Sequence, residues 1–337
     1  MKFTKEKKQA IITYILEKID QGEKGFSEAV ISNFSINEAT FYKYINELLE
    51  EKIILKTARG QYKLVNETFQ YHLTRKNGDL DRDTIAYDKC LYQHVRLFTA
   101  NVEHIWTYAF SEMTNNVMDH SGAEHLDVIV EQNKLTTAVW LIDDGIGIFK
   151  KIKDYFQLDS IDDAVDELFK GKITTDARNH SGEGIFFSSR MMDEFCIFSD
   201  GRLFSHNKYN QDFLSSLKMP FRTGTAVMMK LSNHSRRTPK EVFSQYENTE
   251  GEFDRTEIKL RMIFDSAPIS RSQAKRLCNG LDRFHIIVLD FEGIEWMGQG
   301  FADQIFRVFA NEHPDITLSP VNMNEDIQKM YRHVTSS

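Results

Sequence analysis

The spacing of apolar side chains predicts a largely helical first part of the chain. Isoleucines and Tyr14 recur with close to helical periodicity over residues 6–20, with charged residues on the other face. After a short apolar segment at 29–34, Ser35 and Glu38 have the spacing of a capping box, which predicts a further helix over the residues that follow. The first part therefore contains helices separated by short turns.

Two short apolar runs, 53–55 and 61–65, follow on either side of Arg59-Gly60 and predict a hairpin. Helices followed by a small hairpin resemble a winged helix-turn-helix, in which the third helix enters the DNA major groove. The predicted groove-facing residues are Asn37, Thr40, Lys43 and Tyr44. The alternative is a module for protein docking or dimerisation, because acidic residues at the end of the third helix weaken the interpretation as a DNA-binding module.

The middle of the chain combines helical and alternating patterns after a polar segment at 66–82 that predicts a linker or extended arm. Predicted helices lie at 83–99, 102–120, 160–168 and 185–193, and predicted strands at 126–130, 137–142, 195–198, 202–205 and 225–231. Residues 171–184 are polar and contain glycine, as expected of a loop. Helices on one side of a mainly antiparallel sheet would form an α+β sandwich.

A second polar and charged segment, 232–254, predicts another boundary, and the chain then closes with a β-α-β-α-β-α pattern. The best-marked elements of this last part are a strand at 285–291, a helix at 301–311, a strand at 316–318 and a helix at 325–334.

Composition narrows the class of protein. A length of 337 residues favours two or three domains. The formal net charge of −8 argues against a protein that coats nucleic acid by charge alone, although one basic domain remains compatible with it. The 3 cysteines form no CxxC pair, and the N-terminus lacks the apolar stretch of a signal peptide, so we expect a cytoplasmic protein.

The first chemical motif is a polar stripe in the helix predicted at 102–120. Glu112, Asn116 and His120 are spaced i, i+4 and i+8, which aligns a carboxylate, an amide and an imidazole on one helical face. An amide oxygen suits Mg²⁺, and a carboxylate one turn away can orient or deprotonate a nucleophile. The simpler interpretation of the stripe alone is a solvated helix face.

The second motif, Asp143-Asp144-Gly145-Ile146-Gly147, follows an apolar strand directly. An Asp-Gly step on its own most often marks a turn. Here the glycines would also let the backbone approach a flat ligand, while a carboxylate can accept a hydrogen bond from an exocyclic amine such as that of adenine.

The third motif, Ser181-Gly182-Glu183-Gly184, is a glycine-bearing loop that runs into a helix. Free backbone N–H groups and the helix dipole at such a junction attract phosphate, although a lone GxG before a helix is weak support. The third glycine and the parallel βαβ setting of a dinucleotide motif are missing.

Taken in this order, and followed by Gly224-Thr225 at the start of a strand, the three motifs resemble the GHKL ATPase superfamily of histidine kinases, type II topoisomerases, mismatch-repair ATPases and anti-sigma kinases. The segments SEMTNN, DDGIG and GEGIFFSSRMMDEF look most like the anti-sigma serine-kinase branch. The resemblance implies that ATP and Mg²⁺ are bound, with Glu112 as the general base, Asn116 as the Mg²⁺ ligand and Asp143 as the adenine-recognising residue.

The same resemblance assigns the small residues of the motifs. Gly145 and Gly147 would flank the base, Gly182 and Gly184 would hold phosphates, and Thr225 would support the adenine-recognising aspartate. No lysine or arginine is clearly placed to reach the terminal phosphate. The candidates in the loop are Lys172, Arg178 and His180.

The C-terminal stretch IIVLDFEGIEWMGQGFADQIFRVF resembles a STAS-like domain, the fold of anti-sigma antagonists. In that family the start of the helix often bears a phosphorylated serine, but Gly298-Gln299-Gly300 stands there in this chain, so we expect a small interaction domain without phosphorylation in cis at that position. The predicted fold is α+β multidomain: a winged helix-turn-helix (1–66), a linker (67–82), a GHKL α/β sandwich (83–232), a linker (233–254) and a small STAS-like α/β domain (255–337).

Three functions fit this organisation. The preferred hypothesis is a transcriptional regulator that couples its nucleotide state to binding of double-stranded DNA or of a regulatory protein. The second is a protein serine/threonine kinase of the anti-sigma type that acts on a separate STAS-domain partner, and the third is a non-enzymatic scaffold that keeps the nucleotide as a structural ligand. Because many relatives dimerise, the resemblance also allows a homodimer.

Overall fold

The computed structural model describes residues 4–173, 182–205, 223–264 and 266–336. The chain begins with α1 (Lys5–Asp20), α2 (Ser27–Phe34), α3 (Glu38–Glu50) and the antiparallel hairpin of β1 (Ile54–Ala58) and β2 (Gln61–Leu64). Their buried apolar side chains form a core of their own, to which Leu135 from the middle of the chain also belongs. The predicted helices and hairpin are confirmed.

The start of α3 differs from the prediction. Its N-cap is Asn37, whose side chain accepts a hydrogen bond from the Thr40 backbone N–H at 2.8 Å. Ser35 instead follows the end of α2 in the left-handed conformation, with a φ of 50°. The capping box predicted for Ser35 and Glu38 is therefore wrong, because α3 begins too late for Ser35 to cap it.

An antiparallel sheet forms the middle of the chain, and in the described part it has six strands in the order β3-β4-β5-β8-β6-β7. These strands are β3 (Glu67–Thr74), β4 (His125–Gln132), β5 (Thr136–Asp143), β6 (Glu194–Ser199), β7 (Arg202–Ser205) and β8 (Thr225–Ser232). Their accompanying helices are α4 (Asp83–Cys90), α5 (Tyr92–Val95), α6 (Ala100–Asn115), α7 (Ile148–Phe156), α8 (Ile161–Lys170) and α9 (Gly184–Met191). Alternate residues of β4 and β5 are buried in the same core as the inner face of α6, as expected of an α/β sandwich.

Residues 67–74, which we predicted as part of a linker, instead form β3 at the edge of this sheet. The strand pairs with β4 over its whole length, from Glu67 opposite Gln132 to Thr74 opposite His125. Its polar residues lie on the exposed side, and Leu73 points into the core. An edge strand with one solvated face has few apolar residues, which is why its sequence resembles a linker.

The second segment predicted as a linker, 233–254, is also packed against the fold. It contains α10 (Pro239–Ser244), and its aromatic rings contact α9. The ring centroids of Phe243 and Phe187 lie 4.6 Å apart, and those of Phe253 and Phe186 lie 4.4 Å apart. This segment therefore belongs to the hydrophobic core rather than to a free connection.

The last part of the chain alternates strands and helices, as predicted. Its elements are β9 (Arg255–Lys259), α11 (Leu260–Ile263), α12 (Arg271–Cys278), β10 (Ile286–Asp290), α13 (Gln299–Asp303), β11 (Thr317–Val321) and α14 (Glu325–Thr335). The three strands described here form a parallel sheet in the order β11-β10-β9. After α13 the chain stays helical through Gln304–Phe309 and Ala310–Glu312.

The apolar residues of this last part and of the six-stranded sheet form one continuous core, so the two parts are firmly packed together. Across the described residues, no helix has both the length and the apolar character needed to cross a membrane.

Candidate functional site

Helix α6 carries the predicted polar stripe along the edge of its buried face. Ile105, Trp106 and Phe110 are fully buried, and Glu112, seven residues after Ile105, is half-buried on the same side of the helix as Ile105. After Asn115 the helix continues as a π-helical turn over Asn116–Ser121. π-Helical turns are rare and occur often at functional sites.

Arg75, just after β3, holds the carbonyl groups at the end of this turn. Its Nε donates to the carbonyl oxygen of Ala123 and its Nη2 to that of Met118, both at 2.6 Å, and Nη2 also reaches the Val117 carbonyl at 3.4 Å. Carbonyls at a helix end have no partner within the helix, so these bonds stabilise the turn that presents Asn116. This role could not be predicted from the sequence, because Arg75 lies in the segment interpreted as a linker.

Asp143 is the last residue of β5 and is only 5% exposed. Its Oδ1 accepts a hydrogen bond from the Gly145 backbone N–H at 2.8 Å, and the backbone N–H of Thr225 also donates to this carboxylate. Burial raises the pKa of Asp143 from 3.8 to about 6, against the opposing effect of these two N–H groups. The result is a buried carboxylate with capacity for a further hydrogen-bond donor.

Two glycines allow the backbone to close around Asp143. A Cβ on Gly145 would lie 2.5 Å from the Ser121 carbonyl oxygen. A Cβ on Gly224, whose φ is +91°, would collide with the carbonyl oxygen of Asp143 itself. A side chain at Gly145 would push away the end of the π-helical turn, and one at Gly224 would push apart the adjoining ends of β5 and β8.

Thr225 and Ser199 hold the first turn of α7. The Ile148 backbone N–H donates to Thr225 Oγ1 at 3.0 Å and to Ser199 Oγ at 3.2 Å. Gly147 precedes this turn with a φ of +87°, and a Cβ there would lie 2.6 Å from the Asp200 carboxylate. Thr225 thus uses its N–H for Asp143 and its hydroxyl for α7.

The two glycines of the third motif, Gly182 and Gly184, pack closely against Ile173 and Glu112, respectively. A Cβ on Gly182 would lie 2.7 Å from backbone atoms of Ile173, whose N–H donates to the Gly182 carbonyl at 3.1 Å. Gly184 is the first residue of α9, and a Cβ there would collide with the Glu112 carboxylate. Gly184 therefore lets α9 and α6 approach closely at Glu112.

These elements enclose a cleft of about 230 Å³. Its lining includes the predicted site residues Glu112, Asn116, Asp143, Gly147, Gly182, Gly184 and Thr225. Gly145 is not among the described lining residues, because it packs behind Asp143 against Ser121. The motifs, which are far apart in sequence, thus meet around one cavity.

His120, the third member of the predicted polar stripe, lines the cleft from the π-helical turn. Lys151 of α7 lines it too, although no role was predicted for this residue from the sequence. The Lys151 ammonium donates to the His120 carbonyl oxygen at 2.6 Å, which fixes α7 to the turn. Helical spacing could have pointed to Lys151, because it lies one turn after Gly147, the residue that precedes α7. The cleft therefore combines carboxylates, an amide oxygen and a cation, which suits a ligand with both donor and anionic groups.

Lys172, one of the three candidate cations in the loop, does not line the cleft. Its ammonium donates to the carbonyl oxygen of Arg283 at 3.1 Å and lies over the rings of Phe253 and Phe284, so it faces the last part of the chain. The expectation that Lys172 reaches the cleft is wrong. Arg178 and His180 lie outside the described residues.

The proposed DNA-contacting residues do not all share one exposed surface. Lys43 is exposed, whereas Asn37 uses its side-chain oxygen to cap α3 through the Thr40 N–H. Tyr44 is 5% exposed and belongs to the core of the first part. The prediction that Tyr44 faces the DNA groove is therefore wrong, because its side chain lies on the buried face of α3.

Comparison with known proteins gives one result for the end of the chain. Residues 273–328 match the family model of the STAS-like domain of unknown function (DUF4325). No curated protein matches the chain at a significant level. The last part of the protein is therefore STAS-like, in agreement with the interpretation of its sequence.

Proposed function

We propose that the protein binds ATP with Mg²⁺ in this cleft, in the manner of GHKL proteins, and couples its nucleotide state to the binding of DNA or a partner protein. The observation on which the proposal rests is that Asn116 and Asp143, from separate motifs, line one cavity together with Gly182 and Gly184. If the first motif were only a solvated helix face and the second only a turn, their residues would not be expected to line the same cavity.

The surroundings of Asp143 favour adenine as the group recognised. The carboxylate lies at the buried end of a strand, and apolar lining residues such as Ile148, Ile152 and Val227 surround the same cavity. A flat ring with an exocyclic amine would place its apolar faces between these side chains and donate its N–H to Asp143.

Other lining residues of the cleft suit a magnesium polyphosphate. Asn116 contributes a hard oxygen, Lys151 a positive charge, and Gly184 the N-terminus of α9. Mg²⁺ bound with a nucleotide keeps several waters and needs few protein ligands, so one amide oxygen is compatible with such a site. When bound, the ion would neutralise phosphate charge, and Glu112 would orient or deprotonate the attacking nucleophile.

Calorimetry with Mg-ATP, Mg-ADP and Mg-GTP tests the binding step. We expect both adenine nucleotides to bind in preference to GTP, because guanine presents a carbonyl where adenine has its amine. The variant Asp143→Asn should weaken binding, whereas the matched control Asp127→Asn, which changes an exposed carboxylate paired with His72, should not. Equal affinity for GTP would count against adenine recognition.

An electrophoretic mobility assay tests the coupling to DNA. Genomic fragments should be retarded at low salt, and Mg-ATP should change the retardation, because a ligand shifts function only if it binds two states unequally. No retardation with or without nucleotide would exclude DNA and leave a partner protein as the coupled ligand.

A serine/threonine kinase acting on a separate STAS-domain partner is the second candidate, since Glu112 lines the cleft beside Gly184. Incubation with labelled ATP and a STAS-domain protein separates the two, because a kinase labels the partner and an ATPase releases phosphate. If the protein is a scaffold, Glu112→Ala should leave its function intact, whereas Asn116→Ala should still weaken Mg-ATP binding.

A further inference from the structure

The segment between α8 and the cleft is bonded tightly to the STAS-like part of the chain. Lys170, the last residue of α8, is fully buried. Its ammonium donates to the carbonyl oxygens of Arg276 and Asn279, both at 3.0 Å, and lies 2.5 Å from Glu167 Oε1. A buried cation with such a complete set of partners fixes its backbone strongly.

Arg283, in the STAS-like part, adds a bridge to the same segment. Its Nη1 donates to the Lys172 carbonyl oxygen at 2.7 Å, and its Nη2 lies 3.2 Å from Glu167 Oε2. The Nε donates to the carbonyl of Gly280 at 2.6 Å, and a side chain on Gly280 would collide with the guanidinium. All three nitrogens of the planar Arg283 guanidinium therefore have a hydrogen-bond partner.

The bridge ends one residue away from the cleft wall. Ile173 follows Lys172, lines the cleft, and donates its N–H to the Gly182 carbonyl at 3.1 Å. Gly182 in turn packs against the backbone of Ile173. Any shift of the Lys172 carbonyl therefore moves a residue that touches the ligand space and supports one of the loop glycines.

We infer that Arg283 is a positioning residue for the cleft, so that the STAS-like part and the bound ligand are energetically coupled through Lys172 and Ile173. The identity of the ligand rests on the proposed function; the positioning itself does not. Because coupling between two sites is reciprocal, a protein that binds the STAS-like part and displaces Arg283 would weaken nucleotide binding, and nucleotide would weaken that protein by the same factor.

The test uses the full chain with Arg283→Ala, Arg283→Lys and the control Arg307→Ala. Arg307 lies in the same part of the chain but pairs with Asp303 at the surface. We expect Arg283→Ala to weaken Mg-ATP binding by about tenfold. Arg283→Lys should restore part of this loss, since its ammonium can still reach the carbonyl or the carboxylate but not both. The control should bind as the wild type does.

Hydrogen exchange of the Ile173 amide in the unliganded protein gives a readout that does not depend on any nucleotide. Arg283→Ala should accelerate exchange at Ile173 while the amide of Val128, a buried residue of β4 between β3 and β5, keeps its wild-type rate. Unchanged exchange at Ile173 would overturn the inference, and so would equal acceleration at both amides, because the variant would then only loosen the whole fold.

These readouts separate the two claims. If the wild type binds no adenine nucleotide, the proposed function fails, and the exchange result alone decides the positioning role. If the wild type binds Mg-ATP but Arg283→Ala binds it equally well, the coupling is refuted while the proposed function stands.

Discussion

Replacement of Asp143 by asparagine should make the unliganded protein more stable and its ligand binding weaker. Burial raises the pKa of this carboxyl from 3.8 to about 6, so the folded state binds the proton more tightly than the unfolded chain does. The free energy of unfolding therefore falls as the pH rises from 3.8 to about 6, and it stays at the lower value above that range. With about 1.4 kcal/mol for each pH unit between the two pKa values, the ionised carboxylate lowers the free energy of unfolding by at most about 3 kcal/mol at pH 8.

Asparagine keeps an oxygen that can accept the Gly145 N–H but has no charge to bury. Asp143→Asn should therefore raise the free energy of unfolding at pH 8 by up to about 3 kcal/mol, and by about half as much at pH 5. Urea unfolding at the two pH values measures the difference. The exposed substitution Asp127→Asn serves as the control and should change stability by less than about 0.5 kcal/mol at either pH.

The same variant should lose the hydrogen bond that a charged acceptor makes to a ligand amine, which is worth about 1.5–3 kcal/mol, or roughly 10- to 150-fold in affinity for Mg-ATP. A variant that is less stable than the wild type at pH 8, or a gain that does not depend on pH, would refute the description of Asp143 as a buried carboxylate with a raised pKa.

Gly184→Ala should weaken Mg-ATP binding by about tenfold in calorimetry, because the new methyl group collides with Glu112 and forces it into the cleft. Arg75→Ala should lower the free energy of unfolding by about 1.5–3 kcal/mol in urea titrations, because the carbonyls at the end of the π-helical turn lose a charged donor. Lys43→Ala should weaken DNA retardation and reduce its salt dependence by about one counterion, whereas Tyr44→Ala should lower the stability of the first part by about 3–5 kcal/mol.

The residues around the cleft could be predicted because their local patterns are strong. A helical spacing of four placed Glu112 and Asn116 on one face, and the alternation of β5 placed Asp143 at the end of a buried strand. The π-helical turn changes the geometry after Asn116, and His120 nevertheless reaches the cleft. Helical periodicity was therefore sufficient for the stripe, although it could not reveal the turn.

What the sequence did not reveal depends on contacts between distant segments. The strand that contains Leu73 becomes recognisable only through its pairing with β4, since an edge strand with a polar outer face has a weak signal of its own. Likewise, Arg75 acts on carbonyl groups that lie 42 to 48 residues later in the chain. The orientation of Lys172 away from the cleft is set by the STAS-like part, more than 100 residues away.

Isothermal titration of the 337-residue chain with ATP, with and without Mg²⁺, tests the central claim most directly. We predict saturable binding that Mg²⁺ strengthens in the wild type, loss of the Mg²⁺ effect in Asn116→Ala, and loss of most of the affinity in Asp143→Asn. Absence of any heat of binding at millimolar ATP, under conditions in which the protein is folded, would contradict the claim that this cleft holds an adenine nucleotide.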